Sequence, residues 1–248
     1  MKTAVVGVTG LVGQKMLRVL QERKFPVEEL IPVASERSAG GTVSFRGIDH
    51  TIQTLPDALE EAPDLALFSA GGAIAEEGAK PFTEKGTVVI DNSSAWRMDA
   101  NVPLIVPEVN GDLLQSDHSL IANPNCSTIQ LMVALQPLQQ KYGIERLVIS
   151  TYQSVTGSGA DAVRQLENER AGQNGERTYP HPIDRNCLPR CDDFQDNDYT
   201  KEEMKLINES RKIFDTPDMR ITVTAVRVPV EGGHSESVNV ALQKDFDL

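Results

Sequence analysis

Gly7-Val8-Thr9-Gly10-Leu11-Val12-Gly13 lies between a short apolar run, Lys2–Gly7, and a segment of helical spacing from Gly10 to about Lys24. Glycines at that spacing permit a tight turn and close backbone approach, so the chain begins as strand, turn and helix. Leu11, Val12, Met16, Val19 and Leu20 share one side of this helix, which is expected to be its packed side. Strand-like runs recur at Leu30–Ala34, Leu65–Ala70 and Thr87–Asp91, with a helix predicted from about Ala73 to Lys85. Strands that read as buried, alternating with helices, predict a doubly wound parallel sheet.

Past Val102–Val109 the rhythm changes. A loop, Ile121–Asn125, leads into an apolar helical segment from Cys126 to about Tyr142, which Pro137 is expected to bend or shorten. A β-branched stretch, Leu147–Thr156, precedes a polar helix near Ala160–Ala171. Residues 172–200 are rich in Gly, Pro, Asn and Asp without a period, which predicts a long ordered surface loop. Lys201–Lys212 reads as a helix, and Arg220–Val230 and Glu236–Leu242 alternate as strands. A boundary near Asn125 therefore separates an α/β domain, 1–125, from an α+β domain, 126–248.

Composition narrows the function. With 24 Lys and Arg against 36 Asp and Glu, the 248 residues carry a formal net charge of −12, which argues against a general nucleic-acid binder. Local arginines still suit small anionic substrates. No apolar run approaches a membrane span, and the N-terminus lacks the apolar core of a secretory signal. Three cysteines, Cys126, Cys187 and Cys191, are too few for a disulfide framework, which fits a reducing cytoplasm. The Cys187/Cys191 pair lacks a second pair of ligands, so no metal site is expected there.

The glycine turn and the following helix N-terminus suit a dinucleotide pyrophosphate. An acid commonly reads the ribose about 20 residues further on, where this chain has Ala34-Ser35-Glu36-Arg37-Ser38. Ser35 takes the acid's place and Arg37 suits a 2′-phosphate, so NADP is favoured. Glu36 keeps NAD open, and Arg37 reads equally well as an ordinary surface charge. Ser69-Ala70-Gly71-Gly72 ends another strand at the carboxyl edge and serves as helix entry or ligand contact. The expected cofactor contacts are thus Gly7, Thr9, Gly10, Leu11, Val12, Gly13, Ser35, Arg37, Ser38, Ser69, Ala70, Gly71 and Gly72.

Asn123-Pro124-Asn125-Cys126-Ser127-Thr128 places a cysteine at a predicted helix N-terminus, a position that favours the nucleophilic thiolate. Most lone cysteines are merely small buried hydrophobes. The odds change with Gly232-Gly233-His234, a histidine in a glycine-bounded turn between two predicted strands. Histidine is the usual acid/base partner of a thiolate. Together with a dinucleotide site, Cys126 and His234 point to hydride transfer at a cysteine thioester.

The blocks GVTGLVG, SERSAGG, FSAGG, VIDNSSAWRM, VPLIVPEVN, IANPNCSTIQ, STYQSVTGSG, YTKEEMK and VRVPVEGGHSESVNV span almost the whole sequence. In them the chain resembles the bacterial aspartate-semialdehyde dehydrogenase family. The resemblance implies a Rossmann-like NADP-binding domain and a catalytic and dimerisation domain. It implies that β-aspartyl phosphate is reduced with NADPH to aspartate semialdehyde, a precursor of lysine (through diaminopimelate), threonine and methionine.

Carried over position by position, the resemblance makes Cys126 the nucleophile, His234 the acid/base and Gln153 the group that orients substrate. Arg227 matches the arginine that holds the substrate carboxylate. Glu202 matches the contact to the substrate amino group and Lys205 a phosphate contact, Glu203 being an alternative register for the acid. Read from the residues alone, Glu202 and Lys205 are an ordinary surface pair. Arg97 and Asn125 match further phosphate-site positions, and STYQSVTGSG adds Ser154 and Gly157 to the cofactor contacts. A homodimer follows, with the second domain's sheet at the interface.

In the resembled family the chain continues past the strand matched by Ser237–Leu242, so a shortened second domain with an exposed sheet edge is expected. That motivates an alternative from another class, a dinucleotide-binding fragment without turnover. The enzymatic alternative is N-acetyl-glutamyl-phosphate reductase. That family carries glycine before the nucleophile and tyrosine-proline after it, where this chain has Asn125 and Ser127-Thr128.

Overall fold

The elements of the computed structural model, which describes residues 1–247, follow the β-branched runs and helical stretches of the sequence. In order they are β1 (Lys2–Val6), α1 (Leu11–Glu22), β2 (Glu29–Val33), β3 (Thr42–Phe45), β4 (Ile48–Thr51), α2 (Leu55–Glu60), β5 (Leu65–Phe68), α3 (Gly72–Glu84), β6 (Val88–Asp91), α4 (Pro107–Asn110), β7 (Leu120–Ala122), α5 (Cys126–Tyr142), β8 (Ile144–Gln153), α6 (Ala160–Arg170), α7 (Lys201–Ile213), β9 (Arg220–Arg227) and β10 (His234–Leu242). Two compact units result, one of Met1–Ile105 with Gly111–Pro124 and one of Val106–Asn110 with Asn125–Leu248. Among the described residues no helix is long and apolar enough to cross a membrane.

In the first unit, five strands pair in parallel in the order β2-β1-β5-β6-β7. From β1 the chain moves outward to β2, then crosses back to β5 on the other side of β1. The order therefore reverses between β1 and β5, and in such sheets ligands bind outside the strands' carboxyl ends at that point. The hairpin of β3 and β4 was not expected from sequence. Its turn is closed by Arg46 and Gly47, both at positive φ (53° and 76°), the conformation that two-residue hairpin loops require.

α1 forms where expected, but its packed side differs. Gly13, Leu17 and Leu20 are buried, whereas Leu11 and Val12 are each 47% exposed. Val19, two turns further on, is exposed as well, so the buried stripe runs through Gly13, Leu17 and Leu20, turned away from Leu11, Val12 and Val19.

The second unit holds a sheet ordered β10-β8-β9, with β8 antiparallel to β10 and parallel to β9. α5 packs on β8 and β10, α7 on β9 and on α5. Alternation puts Leu147, Ile149, Thr151 and Gln153 of β8 on the covered face. α5 runs its full 17 residues through Pro137 without being shortened. The carbonyl deprived of a partner belongs to Val133, whose exposed position leaves water available to it.

Other boundaries shift by a few residues. The predicted loop at Ile121–Asn125 gives its first two residues to β7, β8 ends at Gln153 rather than Thr156, and β9 ends at Arg227 rather than Val230. Residues 172–200 form no helix or strand of their own. Two side chains of α6 order this loop. Gln165 Oε1 accepts from the amides of Thr178 and Tyr179, at 2.7 and 2.8 Å, and Glu169 Oε2 from those of Ile183 and Asp184, at 2.7 and 2.8 Å.

Candidate active site

Two turns meet at the switch point of the first unit. A Cβ on Gly7 would lie 2.6 Å from the Ser69 carbonyl oxygen, and one on Gly13 would lie 2.2 Å from that of Gly7. Both positions therefore exclude every side chain, and Gly7 also sits at φ 85°. Thr9, Gly10, Leu11 and Val12 are exposed around the start of α1. Neither α1, entered at Gly10, nor α3, entered at Gly71, has a side-chain cap.

Two helix N-termini at the ends of adjacent strands thus keep amides unclaimed by side chains, the arrangement a pyrophosphate uses. Ser35 and Arg37 are exposed beyond β2, with Glu36 beside them, and the Ser38 amide donates to the Ser35 carbonyl at 2.8 Å. Arg97 also belongs to this unit. It is buried, with Nε 2.9 Å from the Asn123 carbonyl oxygen and Nη2 2.9 Å from that of Asn92, so it braces the ends of β6 and β7.

In the second unit the strand register aligns three expected residues. His234 pairs with Gln153 across β10 and β8, and Gln153 pairs with Arg227 across β8 and β9. They form one row on the face covered by α5 and α7. His234 opens β10 instead of lying in the preceding turn, which ends at Gly232 and Gly233 with φ 69° and 79°. Cys126 is the exposed first residue of α5, and Asn125 is its N-cap, accepting from the Ser127 amide at 2.9 Å. The Asn125 amide donates to Glu209 at 2.7 Å, which fixes the entry to the helix from α7.

The row is tied to both helices. Gln153 Nε2 lies 3.2 Å from Ser127 Oγ and 3.3 Å from Glu202 Oε1, and Asn125 Nδ2 lies 3.0 Å from the same Glu202 oxygen. Glu202 Oε2 pairs with Lys205 at 3.1 Å, and Asp192 pairs with Lys205 at 3.1 Å. Burial opposes the Lys205 charge, but Glu202 and Asp192 outweigh it and raise its pKa, so it stays an ammonium. Glu203 is occupied elsewhere, holding Thr200 in a capping box and the Ala225 amide at 3.0 Å. Of the two registers left open by the sequence, only Glu202 touches Asn125 and Gln153.

Arg227 is 6% exposed. Its Nη1 donates to the Ser154 carbonyl at 2.6 Å, while its Nε is buried without a partner among the described residues. An unsatisfied guanidinium N–H at this depth fits a carboxylate ligand. A cavity of about 550 Å³ opens here, lined by Arg227, Ser158, Tyr179, Arg190, Cys191 and Asp192. Burial pushes the Cys191 thiol up to about 11, so it stays protonated, and Cys187 is exposed.

His234 Nδ1 lies 3.0 Å from the Ser154 amide nitrogen and 3.0 Å from the Gly233 carbonyl oxygen. The amide serves a lone pair and the carbonyl a proton, so Nδ1 is anchored in either tautomer and Nε2 is left for chemistry. A Cβ on Gly157 would lie 2.9 Å from Arg227 Nη1 and 3.4 Å from His234 Nε2. Ser154 and Gly157, expected only as cofactor contacts, therefore also frame His234 and Arg227. Ser127, Glu209 and Asp192 had no signal in the sequence, because their roles exist only once α5, α7 and the long loop have packed.

Burial, reinforced by the Arg227 charge, lowers the His234 pKa below its usual 6.5 despite opposing contributions from Gly233 and Glu202. Neutral imidazole therefore persists to lower pH than in a free histidine. In the direction of aldehyde oxidation, kcat/KM should fall on acidification only below about pH 6.5, the unperturbed imidazole value. A rate–pH profile measures this, and His234→Asn should remove the limb.

Comparison with known proteins agrees with these features. Residues 2–116 match the family model described as semialdehyde dehydrogenase, NAD binding domain, and residues 135–248 that described as semialdehyde dehydrogenase, dimerisation domain. Aspartate-semialdehyde dehydrogenase of Aquifex aeolicus is 47% identical over 254 aligned residues, covering 99% of this chain and 75% of that protein. The crystal structure of aspartate semialdehyde dehydrogenase II complexed with ASA from Vibrio cholerae is 45% identical, with a TM-score of 0.93 over 99% of this chain and 75% of that one. That of the Candida albicans enzyme with NADP is 26% identical, with a TM-score of 0.72 over 97% of this chain and 71% of that one. The chain thus spans about three quarters of the length of the Aquifex relative. With such identity along both of its units, the chain belongs to the aspartate-semialdehyde dehydrogenase family.

Proposed function

We propose that this chain reduces L-aspartyl 4-phosphate to L-aspartate 4-semialdehyde and phosphate, using NADPH, through a thioester on Cys126. The observation that carries the reading is the row His234, Gln153, Arg227, bound through Gln153 to the first turn of α5 and to Glu202. The site residues and the two functional domains, 1–125 for the cofactor and 126–248 for catalysis and dimerisation, are part of this proposal.

The glycine turn, the uncapped starts of α1 and α3, and Ser35, Arg37 and Ser38 hold the NADP phosphates and ribose. Bound NADPH supplies a hydride at the thioester carbon. His234 Nε2 takes the Cys126 thiol proton, with Nδ1–H held by the Gly233 carbonyl. The thiolate attacks the acyl carbon, the C–O bond to phosphate breaks, and Asn125 and Lys205 serve the departing phosphate. Arg227 holds the α-carboxylate and Glu202 the α-ammonium. As hydride adds, the imidazolium protonates the new oxyanion. His234 recovers that proton as the C–S bond breaks and the aldehyde leaves. Gln153 orients the carbonyl throughout.

A homodimer through the open face of the second sheet completes the proposal. Tyr152, Thr222, Thr224, Ser235, Ser237 and Asn239 are exposed there. The match to a dimerisation domain supports it, and sedimentation at twice the chain mass is expected.

The test is the reverse assay, in which aspartate semialdehyde, phosphate and NADP⁺ yield NADPH absorbance. Turnover is expected with this aldehyde and not with N-acetyl-glutamate semialdehyde. Preference for the latter would move the chain to the other reductase family. A melting temperature raised by NADPH, without turnover of either aldehyde, would leave cofactor binding as its activity.

A further inference from the structure

We infer that Gln130 and Glu236 are a positioning pair, a cross-link between α5 and β10 that sets the spacing of Cys126 and His234. The inference rests on the catalytic reading above. Gln130 follows Cys126 by four residues on α5, so both side chains lie on one side of the helix, one turn apart. Glu236 follows His234 by two residues on β10, so both face the same side of the sheet. Gln130 Nε2 donates to Glu236 Oε1 at 2.8 Å.

Two parallel tiers therefore join helix to sheet. In the upper tier Gln153, paired with His234, holds Ser127 beside Cys126. In the lower tier Glu236, paired with Thr151, holds Gln130. Only the upper tier touches the reacting groups.

The lower tier has one attachment on its strand side. Glu236 Oε2 and Thr151 Oγ1, on residues opposite each other in the register, are both buried without a hydrogen-bond partner among the described residues. The Gln130 amide is thus the contact that fixes the Glu236 carboxyl. Burial raises the Glu236 pKa, and the Gln130 hydrogen bond opposes that rise. A glutamine at 236 offers the same Oε1 acceptor to Gln130 Nε2 and should preserve the cross-link, whereas alanine removes it.

The experiment compares Glu236→Ala, Glu236→Gln, Gln130→Ala and the double alanine variant with the unmodified chain in the reverse assay. Glu236→Ala and Gln130→Ala should each lower kcat by about tenfold with KM for aldehyde and NADP⁺ within about twofold, as expected for misplaced reacting groups. Glu236→Gln should stay near the unmodified rate, and the double variant should lose no more than either single one. Unchanged kcat in both alanine variants, additive losses, or equal damage from glutamine and alanine would each overturn the inference. If Glu236→Ala fails to fold, Gln130→Ala, at an exposed helical position, carries the test alone. Turnover by Cys126→Ala would refute the underlying reading instead. An inert Cys126→Ala beside a fully active Gln130→Ala would refute the cross-link and leave that reading standing.

Discussion

Replacing Cys126 by alanine should abolish turnover in both directions, by about 10³-fold or more, while leaving the NADPH-induced rise in melting temperature unchanged. The loss is large because every covalent step is assigned to this one sulfur. Asn125 caps α5 through its side chain and is itself held by Glu209 and Glu202, so the helix start survives loss of the thiol. Alanine keeps the backbone and removes only the nucleophile. The two cysteines that remain offer no substitute. Cys187 is exposed in the loop of residues 172–200, outside α5, and Cys191 is buried with its thiol held protonated. Serine at 126 should be nearly as inactive, since a hydroxyl is far less ionised than a thiol beside the same histidine. The reverse assay measures both variants, and mass spectrometry of a quenched forward reaction should show the aspartyl adduct on the unmodified chain alone. Substantial NADPH-dependent turnover by the alanine variant would remove Cys126 from the mechanism.

The elements that could be read from the sequence were those whose signal is local. β1, β5 and β6 are short apolar runs, and Gly13 is fixed by contacts within its own turn, although the close approach at Gly7 comes from Ser69, far along the chain. Cys126 at a helix start and a histidine beside Gly232-Gly233 were visible for the same reason. What could not be read depends on tertiary packing. The face of α1 misled because periodicity records apolar residues, not which of them become buried. The β3–β4 hairpin went unseen because its strands have four residues each and its turn is Arg-Gly rather than Asn-Gly. The choice between Glu202 and Glu203 needed the capping box, since both stand in the first turn of α7 and only one is consumed there. The row of His234, Gln153 and Arg227 is a property of register, which residues 81 positions apart in the chain cannot announce (153 to 234, from the pairing of β8 and β10).

Arg227→Leu should give the second largest effect, a fall of roughly 10²-fold in kcat/KM for aspartate semialdehyde, equivalent to about 3 kcal/mol. A buried guanidinium with one nitrogen on the Ser154 carbonyl and Nε unsatisfied is arranged for a bidentate anion. Leucine removes the fork together with its 2.6 Å bond to the Ser154 carbonyl, which keeps only the Gly157 amide at 3.3 Å. Arg227→Lys separates charge from geometry. It keeps the cation but loses the planar fork, so it should recover little of the lost efficiency. The same arginine lowers the His234 pKa by its charge. Without it, the acidic limb of the pH profile should move up, toward the ordinary imidazole value of about 6.5. Lysine should hold the limb near its original place even though binding stays poor. A leucine variant with unchanged kcat/KM would detach Arg227 from the substrate. A leucine variant with weakened binding but an unmoved limb would separate its carboxylate role from any influence on the histidine. The two readouts are independent because one depends on the shape of the guanidinium and the other only on its charge.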